Sequence, residues 1–120
     1  MKIYDSELKV LNVLWENGKT KASDIAHILS DTVGWNKNTT YTVIKRCVEK
    51  ELIIRTDPDY ICTAAVTQKK AAYSVTEEIL DTYFDGSIVR FFLTLLNIRP
   101  ISKYEFKELM RILKNRTPLN

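Results

Sequence analysis

Side chains that commonly bind metals or form covalent intermediates are scarce in this sequence. The chain of 120 residues contains two cysteines, Cys47 and Cys62, and a single histidine, His27. Their spacing forms neither a C-x-x-C pair nor a standard zinc motif. With only three glycines, a glycine-rich loop for phosphates is also disfavoured. We therefore expect no metal, no cofactor and no enzymatic activity, and we interpret both cysteines as small buried side chains.

An acid-free segment gives a better indication of a binding surface than the net charge does. The chain has 18 Lys+Arg and 15 Asp+Glu, a net charge of +3, but residues 1–63 carry nine of each sign. Residues 32–48 contain no acidic side chain, while Lys37, Lys45 and Arg46 are basic. Such a local surface on a neutral domain is typical of phosphate binding. The segment therefore suggests nucleic acid as a partner.

Apolar periodicity predicts three helices in the first half of the chain. The first starts at a cap, Asp5, and stops near Gly18, because glycine accepts the left-handed backbone. A second, capped by Thr20, covers about 21–30 and precedes a polar loop at 31–34. The third covers about 37–50 and begins at the N-cap Asn36. Its buried stripe is predicted to contain Thr40, Val43, Ile44, Cys47 and Val48.

A β-hairpin is predicted to follow these helices. Two β-branched runs, 52–54 and 60–63, are separated by turn residues at 56–59. Three helices and a hairpin are the element order of a winged helix-turn-helix, in which the third helix enters the major groove and the hairpin forms the wing. We therefore predict a mainly α fold with a small β-hairpin, in which residues 1–66 form a DNA-binding domain and residues 67–120 a helical dimerisation region.

The second half is predicted to form three more helices, at about 68–84, 88–97 and 102–115. The fifth is apolar on nearly all sides, and a small monomer cannot bury such a helix. Its longest apolar stretch, at 88–96, is too short to span a membrane. The segment either packs against helices one and four or pairs with a second copy, and we favour a C2 homodimer. The predicted dimerisation residues are Ile88, Phe91, Phe92, Leu95, Leu96, Phe106, Leu109, Met110 and Leu113.

Five segments together resemble a known family. They are ELKVLNVLW at 7–15, WNKNTTYTVIKR at 35–46, KELI at 50–53, AAVT at 64–67 and FDGS at 84–87. The chain is similar, over nearly its whole length, to the BlaI/MecI/CopY penicillinase-repressor family of bacterial transcription regulators. The resemblance implies a cytoplasmic homodimeric repressor that blocks promoters of resistance or stress genes. It also implies a membrane-associated sensor protease pathway, which triggers cleavage of the repressor.

Position by position, the resemblance implies specific DNA contacts. Asn38, Thr39, Tyr41 and Thr42 would face base edges or the sugar–phosphate wall, and Lys45 and Arg46 would anchor phosphates. The full predicted set is Asn36, Lys37, Asn38, Thr39, Tyr41, Thr42, Lys45 and Arg46, with Arg55 and Tyr60 in the wing. Because asparagine pairs well with adenine and threonine methyl groups suit thymine, the set favours an A·T-containing half-site.

The sequence departs from the family pattern at several positions. Glu51 stands where family members often have glycine after the third helix. The Asn-Phe bond that is cleaved in characterised members is absent, and the matching stretch reads Phe-Phe-Leu-Thr at 91–94. The wing tip at 57–59 is acidic, and no cysteine follows Cys62. The competing hypothesis is a winged-helix adaptor that binds proteins, although helices that bind partners usually carry apolar anchors, which the third helix lacks.

Overall fold

The computed structural model describes residues 1–116, in which six helices and three short strands are present. In chain order these are α1 Asp5–Asn17, β1 Thr20–Lys21, α2 Ala22–Val33, α3 Lys37–Glu49, β2 Ile53–Thr56, β3 Ile61–Ala64, α4 Gln68–Phe84, α5 Ile88–Ile98 and α6 Lys103–Arg116. The predicted mainly helical fold with a small β-hairpin is confirmed. The last four residues of the predicted C-terminal region, 117–120, lie outside the described part of the chain.

A single hydrophobic core joins α1, α2, α3 and the sheet. Its largest fully buried apolar side chains are Val10, Leu11, Ile25, Ile44, Cys47, Ile53 and Cys62. The predicted inward stripe of α3 is confirmed, with Thr40 fully buried and Val48 partly buried. The α3 helix is thereby fixed on its apolar side, and its polar side is left exposed.

The sheet contains a strand that the sequence did not reveal. Strand β1 pairs antiparallel with β3, Thr20 opposite Cys62, and the strand order is β1-β3-β2. The prediction that Thr20 caps α2 is therefore wrong, because its backbone belongs to the sheet. The N-cap of α2 is Lys21, which makes no side-chain capping bond.

Two helix boundaries also differ from the predicted ones. The N-cap of α1 is Tyr4 rather than Asp5, and the Tyr4 amide donates to the Glu7 carboxylate at 2.9 Å. Helix α2 runs through residues 31–33, which were predicted to form a loop. It ends at Gly34, whose left-handed backbone (φ 79°) directs its amide to carbonyls of the last turn.

The chain divides into two compact units, Met1–Thr76 and Glu77–Asn120. The first unit includes the start of α4, where Thr67 Oγ1 accepts a hydrogen bond from the Lys70 amide. The Trp15 indole donates to the Val66 carbonyl at 2.9 Å, which ties this junction to α1. The first compact unit ends at Thr76, within α4.

In the second unit, local hydrogen bonds cap the start of α5 and of α6. Ser87 caps α5 by accepting from the Arg90 amide, and Ser102 and Glu105 form a reciprocal capping box at the start of α6. Helices α5 and α6 contain no buried residue, and Leu95 and Phe106 are 46% and 56% exposed. None of the helices over residues 1–116 is long and apolar enough to cross a membrane.

Candidate nucleic-acid interface

The polar face of α3 is exposed along its length. Asn36 begins the helix as predicted, because its side-chain oxygen accepts from the Thr39 amide at 2.8 Å and the Thr39 hydroxyl at 3.0 Å. One turn later the Thr42 hydroxyl donates to the Asn38 carbonyl. The predicted residues on this face that are exposed are Asn36, Lys37, Asn38, Thr39, Thr42, Lys45 and Arg46.

Four predicted residues form one row from the wing to α3, which we call the cation–aromatic row. The Arg55 guanidinium lies 3.6 Å from the centre of the Tyr60 ring. Tyr60 meets Tyr41 edge to face, with ring centres 5.7 Å apart. The Lys37 ammonium lies 5.7 Å from the Tyr41 ring. The row therefore has a cation at each end and two tyrosines between, an arrangement that suits a phosphate backbone with sugars and bases beside it.

The acidic wing tip is partly neutralised within the wing. Asp57 accepts a hydrogen bond from Arg55 Nε at 3.0 Å, and this bond raises the pKa of the arginine. Burial raises the pKa of the Tyr60 hydroxyl, which is therefore protonated at neutral pH and can donate a hydrogen bond. The wing thus keeps its cation in a fixed place, although its tip contains two carboxylates.

A buried carboxylate, Glu7, lies beside the C-terminal end of α3. It was not among the residues predicted from the sequence. Glu7 is fully buried, and its two oxygens accept from Arg46 Nε at 3.0 Å and from the Lys50 ammonium at 2.7 Å. Lys50 also donates to the Lys2 carbonyl, and the Ser6 hydroxyl contacts Arg46. We call Glu7, Arg46 and Lys50 the charge cluster. Arg46 is therefore an exposed cation that is already paired with α1.

The charge state of Glu7 follows from two opposed effects. Burial by itself raises the pKa of the carboxyl, but hydrogen bonds from Lys50, the Tyr4 amide and Arg46 outweigh it, and the pKa lies below its ordinary value. Glu7 is therefore ionised at neutral pH. The burial of Glu7 could have been predicted from the sequence, since Glu7 shares the helical spacing of Val10, Leu11 and Leu14 on the inward face of α1.

The cysteines occupy the core and not the interface. Cys47 and Cys62 are both buried, as predicted. Burial raises the pKa of the Cys47 thiol to about 12 and that of Cys62 to about 11. Both thiols are therefore protonated and unreactive at neutral pH. Within residues 1–116 no cluster of side chains is suited to a metal ion.

The chain matches the model of one known protein family. The family model described as penicillinase repressor matches residues 3–115. This chain belongs to the penicillinase repressor family. Penicillinase repressors are transcriptional regulators and not enzymes. The predicted family is confirmed. A search of curated proteins found no match to the chain.

Two solved structures share their fold with more than half of this chain. The first is the DNA-binding domain of the repressor BlaI, which is 22% identical, with a TM-score of 0.52, over 57% of this chain and 87% of that one. The second is the monomeric form of BlaI from Bacillus licheniformis in complex with the blaP half-operator. It is also 22% identical, with a TM-score of 0.51, over 58% of this chain and 88% of that one. The predicted winged helix is confirmed.

Proposed function

We propose that this penicillinase repressor acts as a homodimer on a pseudo-palindromic DNA operator, with α3 of each protomer in the major groove. The observation that carries the proposal is the exposed, polar face of α3, which continues into the cation–aromatic row of the wing. A winged helix uses these two elements to contact the groove and the adjoining backbone. The solved complex of the similar BlaI protein with a half-operator supports DNA binding by this chain.

Individual roles follow from chemistry and position. By their match to the family pattern, Asn38, Thr39, Tyr41 and Thr42 contact base edges or the sugar–phosphate wall, and all four lie in the first half of α3. Asn36, Lys37, Lys45, Arg46, Arg55 and Tyr60 contact the backbone and set the register of the protein on the duplex. Lys45 has no side-chain partner among the described residues, so its charge is available to DNA.

The exposed apolar surface of α5 and α6 supports the homodimer. Ile88, Leu95, Phe106, Met110 and Leu113 are exposed. A self-complementary C2 interface buries such side chains on both copies at once, and burial contributes roughly 1.5 to 3 kcal/mol for each large apolar group. We therefore assign DNA binding to residues 1–66 and dimerisation to residues 67–120. A two-fold axis then places two α3 helices on two half-sites.

The wider regulatory setting is proposed from family membership. The repressor would act in the cytoplasm on promoters of resistance or stress genes, and a membrane-associated sensor protease pathway would relieve repression. Because the Asn-Phe bond is absent, any inactivating cleavage in α5 must use another bond, within the Phe-Phe-Leu-Thr stretch at 91–94 or beside it.

The salt dependence of binding tests the mechanism. Duplexes would be selected from a random library with the purified full chain, and their affinity measured by fluorescence anisotropy over a range of salt concentrations. If each protomer neutralises three or four phosphates, the log–log slope for the dimer is roughly −5 to −7. Binding that is independent of salt, or a failure to enrich any duplex, would exclude this mechanism and favour a protein-binding adaptor.

Two substitutions separate base contacts from phosphate contacts. Asn38→Ala should relax discrimination at one base pair, because it removes a base-reading amide. Lys45→Ala should weaken binding to all duplexes by a similar factor and reduce the salt slope by about 1 for each protomer. Equal losses on selected and random DNA for Asn38→Ala would refute its assignment.

A further inference from the structure

The charge cluster changes the electrostatics of α3. Residues 32–48 lack acidic side chains in sequence, yet α1 brings the Glu7 carboxylate to within 3.0 Å of Arg46 and 2.7 Å of Lys50. One carboxylate between two cations leaves the charge cluster itself with a net charge of +1. Glu7 thus reduces the positive charge available to DNA, and a purely electrostatic DNA-binding surface would do better without it.

In exchange for this reduced positive charge, Glu7 fixes the positions of two cationic side chains. Arg46 and Lys50 are one helical turn apart, and their side chains remain 44% and 30% exposed. Glu7 accepts one hydrogen bond from Arg46 Nε and one from the Lys50 ammonium. The Ser6 hydroxyl contacts Arg46, and the Lys2 carbonyl and the Tyr4 ring contact Lys50. Two long side chains that would otherwise sample many rotamers are therefore held side by side before DNA arrives.

We infer that Glu7 is a positioning residue for DNA binding, which holds Arg46 and Lys50 as a preformed pair of cations for two oxygens of the operator backbone. The inference rests on the proposed function. Phosphate contacts made from fixed positions set the register of a protein on the duplex, and register is needed before bases can be read. Mobile cations attract any DNA equally, so loss of Glu7 should damage specific binding more than non-specific binding.

The test compares Glu7→Gln with Glu49→Gln in the full chain. Both substitutions remove one negative charge near the end of α3, but Glu49 is exposed and, among the described residues, forms no side-chain hydrogen bond or ion pair with Arg46 or Lys50. Affinities for a selected duplex and for a random duplex of equal length are measured by anisotropy. We expect Glu7→Gln to lower the ratio of the two affinities by about tenfold, because the pair loses its fixed geometry. We expect Glu49→Gln to leave the ratio unchanged and to raise both affinities slightly.

Equal behaviour of the two variants would overturn the inference, since Glu7 would then act only through its charge. If the wild-type chain selects no duplex, the proposed function fails instead, and the two failures are thus distinguished. If Glu7→Gln does not fold, hydrogen exchange of the Arg46 Nε proton in the DNA-free wild-type protein tests whether the pair of cations is preformed. We expect this proton to exchange much more slowly than that of Arg90, which is 61% exposed and 4.0 Å from its carboxylate. Equal exchange rates would show that the pair is not preformed.

Discussion

At the residue scale, Glu51 occupies a backbone conformation that disfavours its side chain. The end of α3 forms two bonds of a Schellman motif, from the Glu51 amide to the Val48 carbonyl and from the Leu52 amide to the Cys47 carbonyl. This motif places Glu51 in the left-handed region, at φ 61°. The position is the one at which family members often carry glycine, and a side chain with a Cβ is strained there.

Replacement of Glu51 by glycine should therefore stabilise the protein. We expect Glu51→Gly to raise the free energy of unfolding by about 1 kcal/mol, because relief of left-handed strain exceeds the added backbone entropy of the unfolded chain. Urea denaturation followed by circular dichroism, at one fixed protein concentration, measures the change. Glu49→Gly, in the last turn of α3, is the control and should destabilise the protein by a similar amount. A loss of stability in Glu51→Gly would contradict the argument.

Glu7 should make the stability of the fold depend on acid pH. Its pKa in the folded protein lies below the ordinary value of 4.5, so the ionised form stabilises the fold above that pH. This contribution is lost as the pH falls through the pKa of Glu7 in the folded protein, because below that pH Glu7 is protonated in the folded and in the unfolded state. In Glu7→Gln the unfolding midpoint should vary less between about pH 5 and pH 2 than in the wild type. Parallel curves for the two proteins would show that other carboxylates govern acid unfolding.

At the element scale, α3 combines a structural cap with a binding surface. Asn36 accepts two hydrogen bonds from Thr39, and it is also a proposed DNA contact. Because Thr40 is fully buried and its hydroxyl has no partner among the described residues, α3 already carries one unfavourable polar group in its first turn. The cap at Asn36 is therefore important for keeping this end of the helix in place.

Loss of this cap should reduce stability separately from any effect on DNA. Asn36→Ala should lower the free energy of unfolding by about 1 kcal/mol, because the Thr39 amide loses its acceptor. Asn36→Ser retains a capping oxygen and should remain close to the wild type in stability. Urea unfolding without DNA measures both variants. If Asn36→Ser is as unstable as Asn36→Ala, a contact other than the cap stabilises this end of α3.

At the scale of the whole molecule, the two compact units bury their apolar residues very differently. Among the described residues, all members of the buried hydrophobic core lie within residues 1–76, whereas α5 and α6 have no buried residue. Phe84 and Phe91 make an edge-to-face contact within the second unit, with ring centres 5.3 Å apart. Much apolar surface of α5 and α6 remains exposed, as expected of a segment that is completed by a second copy.

A charge placed on the apolar face of α5 should separate the proposed dimer. We expect Leu95→Glu to weaken self-association at least about tenfold, because a carboxylate cannot be buried without a partner. Sedimentation equilibrium measures the association, and circular dichroism checks that the winged helix stays folded. Thr94→Glu adds the same charge at the neighbouring exposed position and should have the smaller effect. Equal association of both variants and the wild type would place the interface elsewhere.

Affinity for DNA should fall in parallel with self-association. Two linked half-site contacts gain through effective concentration, so a protein that cannot dimerise loses far more affinity for a two-fold site than for a single half-site. Leu95→Glu should therefore bind an isolated half-site as the wild type does. A similar loss on both duplexes would indicate damage to the winged helix itself.

Local patterns in the sequence determined the helices and the family of this protein. The limits of α4, the caps at Asn36 and Thr67 and the capping box at Ser102 follow from interactions within four residues, which a sequence displays directly. The inward stripe of α3 and the buried cysteines follow from periodicity for the same reason. The positions of the ten proposed DNA contacts came from the family pattern, and their roles in binding remain predictions.

Tertiary structure alone decided the contacts between residues far apart in the chain. Glu7 meets Arg46 and Lys50 across 39 and 43 positions, and Thr20 pairs with Cys62 in the sheet. The cation–aromatic row likewise needs the wing to lie beside α3. Local propensity says nothing about which distant groups a buried carboxylate or a two-residue strand will meet, because burial must satisfy each polar group with whatever the fold brings near.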